Sequence, residues 1–115
     1  MKIIDPVFTT DKLKYKIADI KLSMRRKNDL PHVYVIVQNL RCSGRIEYFK
    51  CSQLYQQFYD TDDLLIIGFA QSKDAAAEVI ADIAERAALN GFSGDVIQYL
   101  NKEISSRTIK DFQWL

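Results

Sequence analysis

Few side chains in this chain are suited to chemistry: one histidine, His32, two cysteines, Cys42 and Cys51, and a carboxylate run of Asp60, Asp62 and Asp63. Nucleophilic catalysis needs a base beside the nucleophile, so the pair to test is Cys51 with His32. A tight turn at Ser43-Gly44 would pair Ile36 with Cys51 across a hairpin. His32 then lies about four residues, ~13 Å, further along the strand, too far for a proton to pass. The same spacing keeps Cys42 and Cys51 from bridging, since a disulfide tolerates only about 4.4–6.8 Å between Cα atoms. Two free thiols are therefore expected, which suits a reducing compartment.

The three aspartates could hold a divalent cation through paired carboxylates. They precede an apolar strand, however, whereas ligand crevices in open sheets gather at the carboxyl ends of strands. Neither an EF-hand spacing nor a zinc-type Cys/His set accompanies them. Glu47 and Lys50, three apart on a strand, point to opposite faces and do not converge. Gly44, Gly68, Gly91 and Gly94 belong to no phosphate-binding fingerprint. Gly68, inside an apolar strand, marks a bulge or a close helix contact. No catalytic set, no metal site and no cofactor is expected.

Charge is the more informative signal. Residues 1–50 hold eleven Lys and Arg against five Asp and Glu, while residues 51–115 hold five against ten. Lys12, Lys16, Arg25, Arg26, Lys27, Arg41 and Arg45, with Lys14 and Lys21 between them, supply several candidate phosphate contacts. Tyr15 and Tyr48 are near enough to stack on bases. The competing reading is a solvated helix face neutralised by the acidic second half. The tail, residues 107–115, is apolar for a chain end, and Phe112 and Trp114 alternate with polar residues. These two either add an edge strand, anchor a partner or pack on their own core.

The elements that must position these residues follow from periodicity. Leu64 to Ala70 is an unbroken apolar run, the pattern of a strand covered on both faces. Ser72 then caps a helix whose Ala76, Val79, Ile80, Ile83 and Ala87 form one stripe, stopped at Asn90-Gly91. Upstream, Ile3, Ile4, Val7 and Phe8 form a first strand that Pro6 should confine to an edge or break. Residues 11–27 read as a helix capped by Thr9 or Thr10, with Leu13, Ile17, Ile20 and Met24 on its buried face. A basic hairpin over the same residues also fits the alternation. His32 to Gln38 and Arg45 to Cys51 are strands, and Ser52 opens a short helix through Leu54, Tyr55, Phe58 and Tyr59. Asp95 to Glu103 is the last helix, with Ser93 as a candidate cap and Val96, Ile97, Leu100 and Ile104 turned inward.

The expectation is thus one globular domain over residues 1–115, of α+β class, in the order (β)αββαβαα. Its form would be a two-layer sandwich with a mixed or antiparallel sheet of three to five strands. The first six elements match the ferredoxin-like order. No apolar run approaches the roughly 20 residues of a membrane span. Met1 to Pro6 meets Asp and Pro before any secretory leader can develop. The function expected is that of a small cytoplasmic module that binds another protein or its own copy, with no role at a membrane. Nucleic-acid binding through the basic half is the alternative, and a metal-dependent or thiol enzyme the remotest reading.

Overall fold

The computed structural model describes residues 1–56 and 61–114. Its elements are β1 (Lys2–Thr9), α1 (Ile17–Arg25), β2 (Tyr34–Asn39), β3 (Arg45–Lys50), α2 (Cys51–Leu54), β4 (Leu64–Ala70), α3 (Lys73–Leu89), α4 (Val96–Ser105) and β5 (Thr108–Asp111). They form a single α+β domain around one five-stranded mixed sheet in the order β3-β2-β4-β1-β5. β1 runs parallel to β4, and the other pairings are antiparallel. The general class matches the pattern in the sequence. The strand connectivity does not. A split βαβ unit needs the strands on either side of its helix to point the same way. Here β1 and β2, on either side of α1, are antiparallel and lie apart with β4 between them.

The sheet also has two covered faces rather than one. Ile4, Ile36, Leu65 and Ile67 pack with Ala76, Val79 and Ile83 of α3 and Leu100 and Ile104 of α4. Ile3, Val35, Val37, Ile66 and Phe69 pack on the other side with Ile20 and Met24 of α1 and Cys51 and Leu54 of α2. Three layers result. An unbroken apolar strand such as β4, buried at every residue, demands cover on both faces, so a two-layer arrangement would have left half of it in water.

Local chemistry explains the remaining departures. Pro6 sits in β1, an inner strand, where an edge strand was expected. The register against β4 shifts between Ile3 and Phe8, and β5 pairs only with Lys2 to Asp5. The missing N–H therefore falls where the ladders lapse. α1 is shorter than expected, because residues 11–15 form turns after β1 has run on to Thr9; the hairpin alternative is not adopted. Leu13 reaches the core from that turn. Ser72 does cap α3, its hydroxyl accepting from the Ala75 N–H at 3.0 Å. Asp95, not Ser93, caps α4. α2 begins at Cys51 without a Ser52 cap, and Phe58, Tyr59 and Asp60 lie outside the described residues.

The tail completes the sheet: β5 is its outer strand, and Phe112 continues into the core on the α1 side. Among the described residues no helix is long and apolar enough to cross a membrane.

Candidate binding cleft at the carboxyl end of the sheet

His32 and Cys51, the pair a thiol mechanism would need, do not meet. The β2–β3 hairpin closes through a 3-10 turn at Leu40–Cys42 before Ser43-Gly44, so its loop is longer than a two-residue turn. The register slides accordingly: Ile36 faces Tyr48, and Tyr34 faces Lys50. Cys51 comes beside Val33, its N–H donating to the Val33 carbonyl at 3.4 Å. This brings the thiol nearer to His32 along the chain than a tight turn allows, yet no dyad results. Cys51 is wholly buried in the α1-side core while His32 is exposed. Burial pushes the Cys51 thiol up to about 12.

A thiol reagent at about pH 8 should accordingly modify exposed Cys42 at once and Cys51 only after unfolding. Rapid labelling of two thiols in the native protein would contradict this burial. The same shift carries a sign for stability. The unfolded thiol ionises near 9.0 and the native one near 12, so this contribution is complete below about pH 9 and is lost as pH rises towards 12.

Of the acidic run, Asp60 lies outside the described residues. Asp63 forms an ion pair with Arg41 at 2.7 Å, and Glu47 accepts from Asn39 at 2.7 Å and from Arg45 at 3.5 Å. Among the described residues no three metal-ligating side chains gather at one point.

The basic residues divide into three groups. Arg41 and Arg45 lie at the end of the sheet where β4 begins, each paired with a carboxylate. Arg25 and Lys27, at the far end of α1, are held over the tail: the Arg25 guanidinium is 5.1 Å from the Phe112 ring, and the Lys27 ammonium 5.6 Å from Trp114. Arg26 beside them is exposed. Phe112 is 2 % exposed and Trp114 half-buried. Trp114 stands edge-on to both Phe112 and Tyr55, at 5.7 and 5.6 Å. Tyr55 donates to the Asn28 carbonyl at 3.0 Å, and burial, then the charges of Cys51 and Asp29, pushes its phenol up. The tail aromatics thus clamp α1 and α2 to the sheet.

Lys12, Lys14 and Lys16 form the third group, at the opposite end of the sheet. β1 and β4 finish there side by side, with Thr9 level with Phe69. After β1 the chain turns to the α1 face; after β4 it enters α3 on the other. Neighbouring parallel strands whose connections part to opposite faces leave a crevice at their carboxyl ends. The turn of residues 11–16 divides that crevice into two clefts, each of about 470 Å³.

The cleft on the α3 side is balanced in charge. Asp11, Glu78 and Asp82 face Lys14, Arg86 and Arg107. Asp82 and Arg86 pair at 3.0 Å, while Arg107 donates to the Pro6 carbonyl at 2.6 Å and to Glu103 at 3.0 Å. The cleft on the α1 side is not balanced. Leu13, Ile20 and Val33 are its apolar lining, Lys12, Lys16 and His32 its charged or ionisable groups, and among the described residues no carboxylate lines it. Neither lysine has an ion-pair partner among the described residues. Gln71 contributes an amide whose oxygen already accepts from Thr10 at 2.6 Å. Tyr15, in the turn between the clefts, is 87 % exposed, with the Lys14 ammonium 5.1 Å from its ring.

Lys12 and Lys16 were candidates on charge alone. His32 and Gln71 as their companions follow from the register of β2 and the exit of β4, which spacing in the chain does not reveal. Comparison with protein-family models, with curated proteins and with solved structures returned no match.

Proposed function

We propose that this protein is a cytoplasmic, non-enzymatic binding module that takes single-stranded nucleic acid on the turn of residues 11–16. The observation that carries the reading is Tyr15, almost fully exposed amid Lys12, Lys14 and Lys16, three ammonium groups that form no ion pair among the described residues. An exposed ring flanked by cations is the arrangement that stacks on a base while the lysines contact neighbouring phosphates. The dispersal of His32, Cys51 and Asp63 supports binding over catalysis. The free thiols of Cys42 and Cys51 support a reducing compartment.

A labelled single strand should shift at about 50 mM salt, with log affinity falling against log salt at a slope near −2 for three contacts. Tyr15→Ala should weaken binding by about ten- to a hundredfold, the worth of one stacked base. Replacing Lys12, Lys14 and Lys16 together with Glu should abolish it. No shift at low salt would end this reading.

One observation favours a second reading, association with another protein or a second copy. β5 is an outer strand whose Ile109 remains 48 % exposed. Its four residues and the Lys110–Asp5 ion pair, at 3.3 Å, blunt that edge against pairing, which ranks the reading second. Light scattering that reports a dimer in the wild type and a monomer in Ile109→Lys would reverse the ranking.

A further inference from the structure

The cleft on the α1 side differs from the one on the α3 side in combining an apolar lining with unmatched positive charge. Leu13, Ile20 and Val33 are all buried, yet each contributes to the wall of a cavity of about 470 Å³. That volume lies in the ordinary range of small-molecule sites, about 300–1,000 Å³. An anionic polymer alone would need no such lining, since phosphates are met on open surface. A ligand with a flat, weakly polar body would use it.

The polar groups are few and come from three separate segments: Lys12 and Lys16 from the turn after β1, His32 from the turn before β2, and Gln71 from the exit of β4. The Gln71 oxygen is taken by the Thr10 hydroxyl at 2.6 Å, which leaves its NH₂ to donate to an acceptor in the cleft. Lys12 and Lys16 are free to meet a dianion. The opposite cleft, of equal volume, sets three carboxylates beside its three cations, one of which, Arg86, is already paired with Asp82, so it offers a dianion no net attraction.

We infer that the α1-side cleft is a pocket for one nucleoside monophosphate unit, base against Leu13, Ile20 and Val33, phosphate between Lys12 and Lys16. The base offers a ring acceptor to the Gln71 amide. This rests on the reading of the 11–16 turn as a nucleic-acid surface and adds to it: one nucleotide of the strand, or a free mononucleotide, is seated rather than merely stacked. Tyr15, outside the cleft, then meets the neighbouring base.

Titration of the full chain with adenosine monophosphate, adenosine and inorganic phosphate, followed by methyl and amide NMR shifts, separates the possibilities. The monophosphate should bind at least tenfold more tightly than either fragment. Its shifts should centre on the Leu13, Ile20 and Val33 methyl groups and the Gln71 side-chain amide. Lys12→Ala with Lys16→Ala should weaken it tenfold or more, and Gln71→Ala severalfold. Lys102→Ala, on α4, should change nothing. Each variant needs an unchanged melting temperature, which excludes a folding defect. Inorganic phosphate that reproduces the monophosphate shifts at equal affinity would overturn the pocket and leave an adventitious anion site only. Shifts confined to residues outside the cleft would overturn it too. If a single strand binds while the monophosphate does not, the pocket falls and the surface reading stands; if neither binds, both fall.

Discussion

Gly68→Ala is expected to cost this protein about 3 kcal/mol of folding stability, one of the largest losses available from a single methyl group. A Cβ at Gly68 would stand 2.5 Å from the Phe8 carbonyl oxygen and 3.4 Å from Ile36 Cδ1. The side chain of Ile36 can turn aside; the carbonyl cannot, because Phe8 and Gly68 are level in the parallel β1–β4 pair. Relief requires the two central strands to separate, and forcing extra volume into such a site costs 1–3 kcal/mol, occasionally more. At roughly 4 °C per kcal/mol for a chain of this size, the melting temperature should drop by about 10–15 °C.

Gly91→Ala is the contrast. Nothing lies within 4 Å of a Cβ there, and the cost is only that of a left-handed backbone at φ +84°, about 1 kcal/mol. Equal losses at the two sites, measured by denaturant titration, would mean that β1 does not approach β4 this closely.

Gly68 also shows which kinds of information the chain displays openly. A glycine inside an apolar run signals a bulge or a close helix contact; the β2–β4 register does shift beside Gly68, between Ile36 and Val37, while the close neighbour is the backbone of a strand sixty residues earlier rather than a helix. Element type was legible wherever a period or a cap was local: the stripe of α3, the Ser72 cap, the double-sided burial of β4. Pairing was not. Whether β4 lies beside β1 or β3 is decided by the crossovers, and nothing in the strand residues distinguishes the two. The hairpin register failed for a related reason. Asn39 accepts from the Arg41 N–H through its side chain and opens a 3-10 turn, displacing the partner of every β2 residue by three.

The candidate site inherits this division. Its lysines stand out in a count of charges, and its exposed tyrosine lies among them. His32 and Gln71, by contrast, reach the same cleft only once β1, β2 and β4 are aligned. The basic residues also appear continuous in the chain and are not so in space. Arg25 lies nine residues, ~13 Å, along the helix from Lys16, and Arg41 and Arg45 sit at the other end of the sheet.

Phe112→Ala is expected to destabilise the fold by about 3–4 kcal/mol, the usual cost of emptying a buried phenylalanine site. The ring is 2 % exposed, lies in the α1-side core with Ile3, Met24 and Phe69, and carries the Arg25 guanidinium 5.1 Å from its centre. Its removal leaves a cavity under α1 and frees the tail that pairs β5 with β1. Trp114→Ala should cost less, about 1–2 kcal/mol. Its ring is half-buried, and what it loses is two edge-on aromatic contacts and the Lys27 ammonium. The order of the two variants distinguishes a structural tail from a docking segment. If these rings serve to hold a partner, Phe112→Ala would leave the melting temperature in place and lower only the mass seen by light scattering. If the tail is a wall of the core, the melting temperature falls by roughly 12–16 °C at unchanged mass, with Trp114→Ala intermediate. The burial of Phe112 predicts the second outcome, and with it that a chain ending at Asp111 will not hold α1 against the sheet.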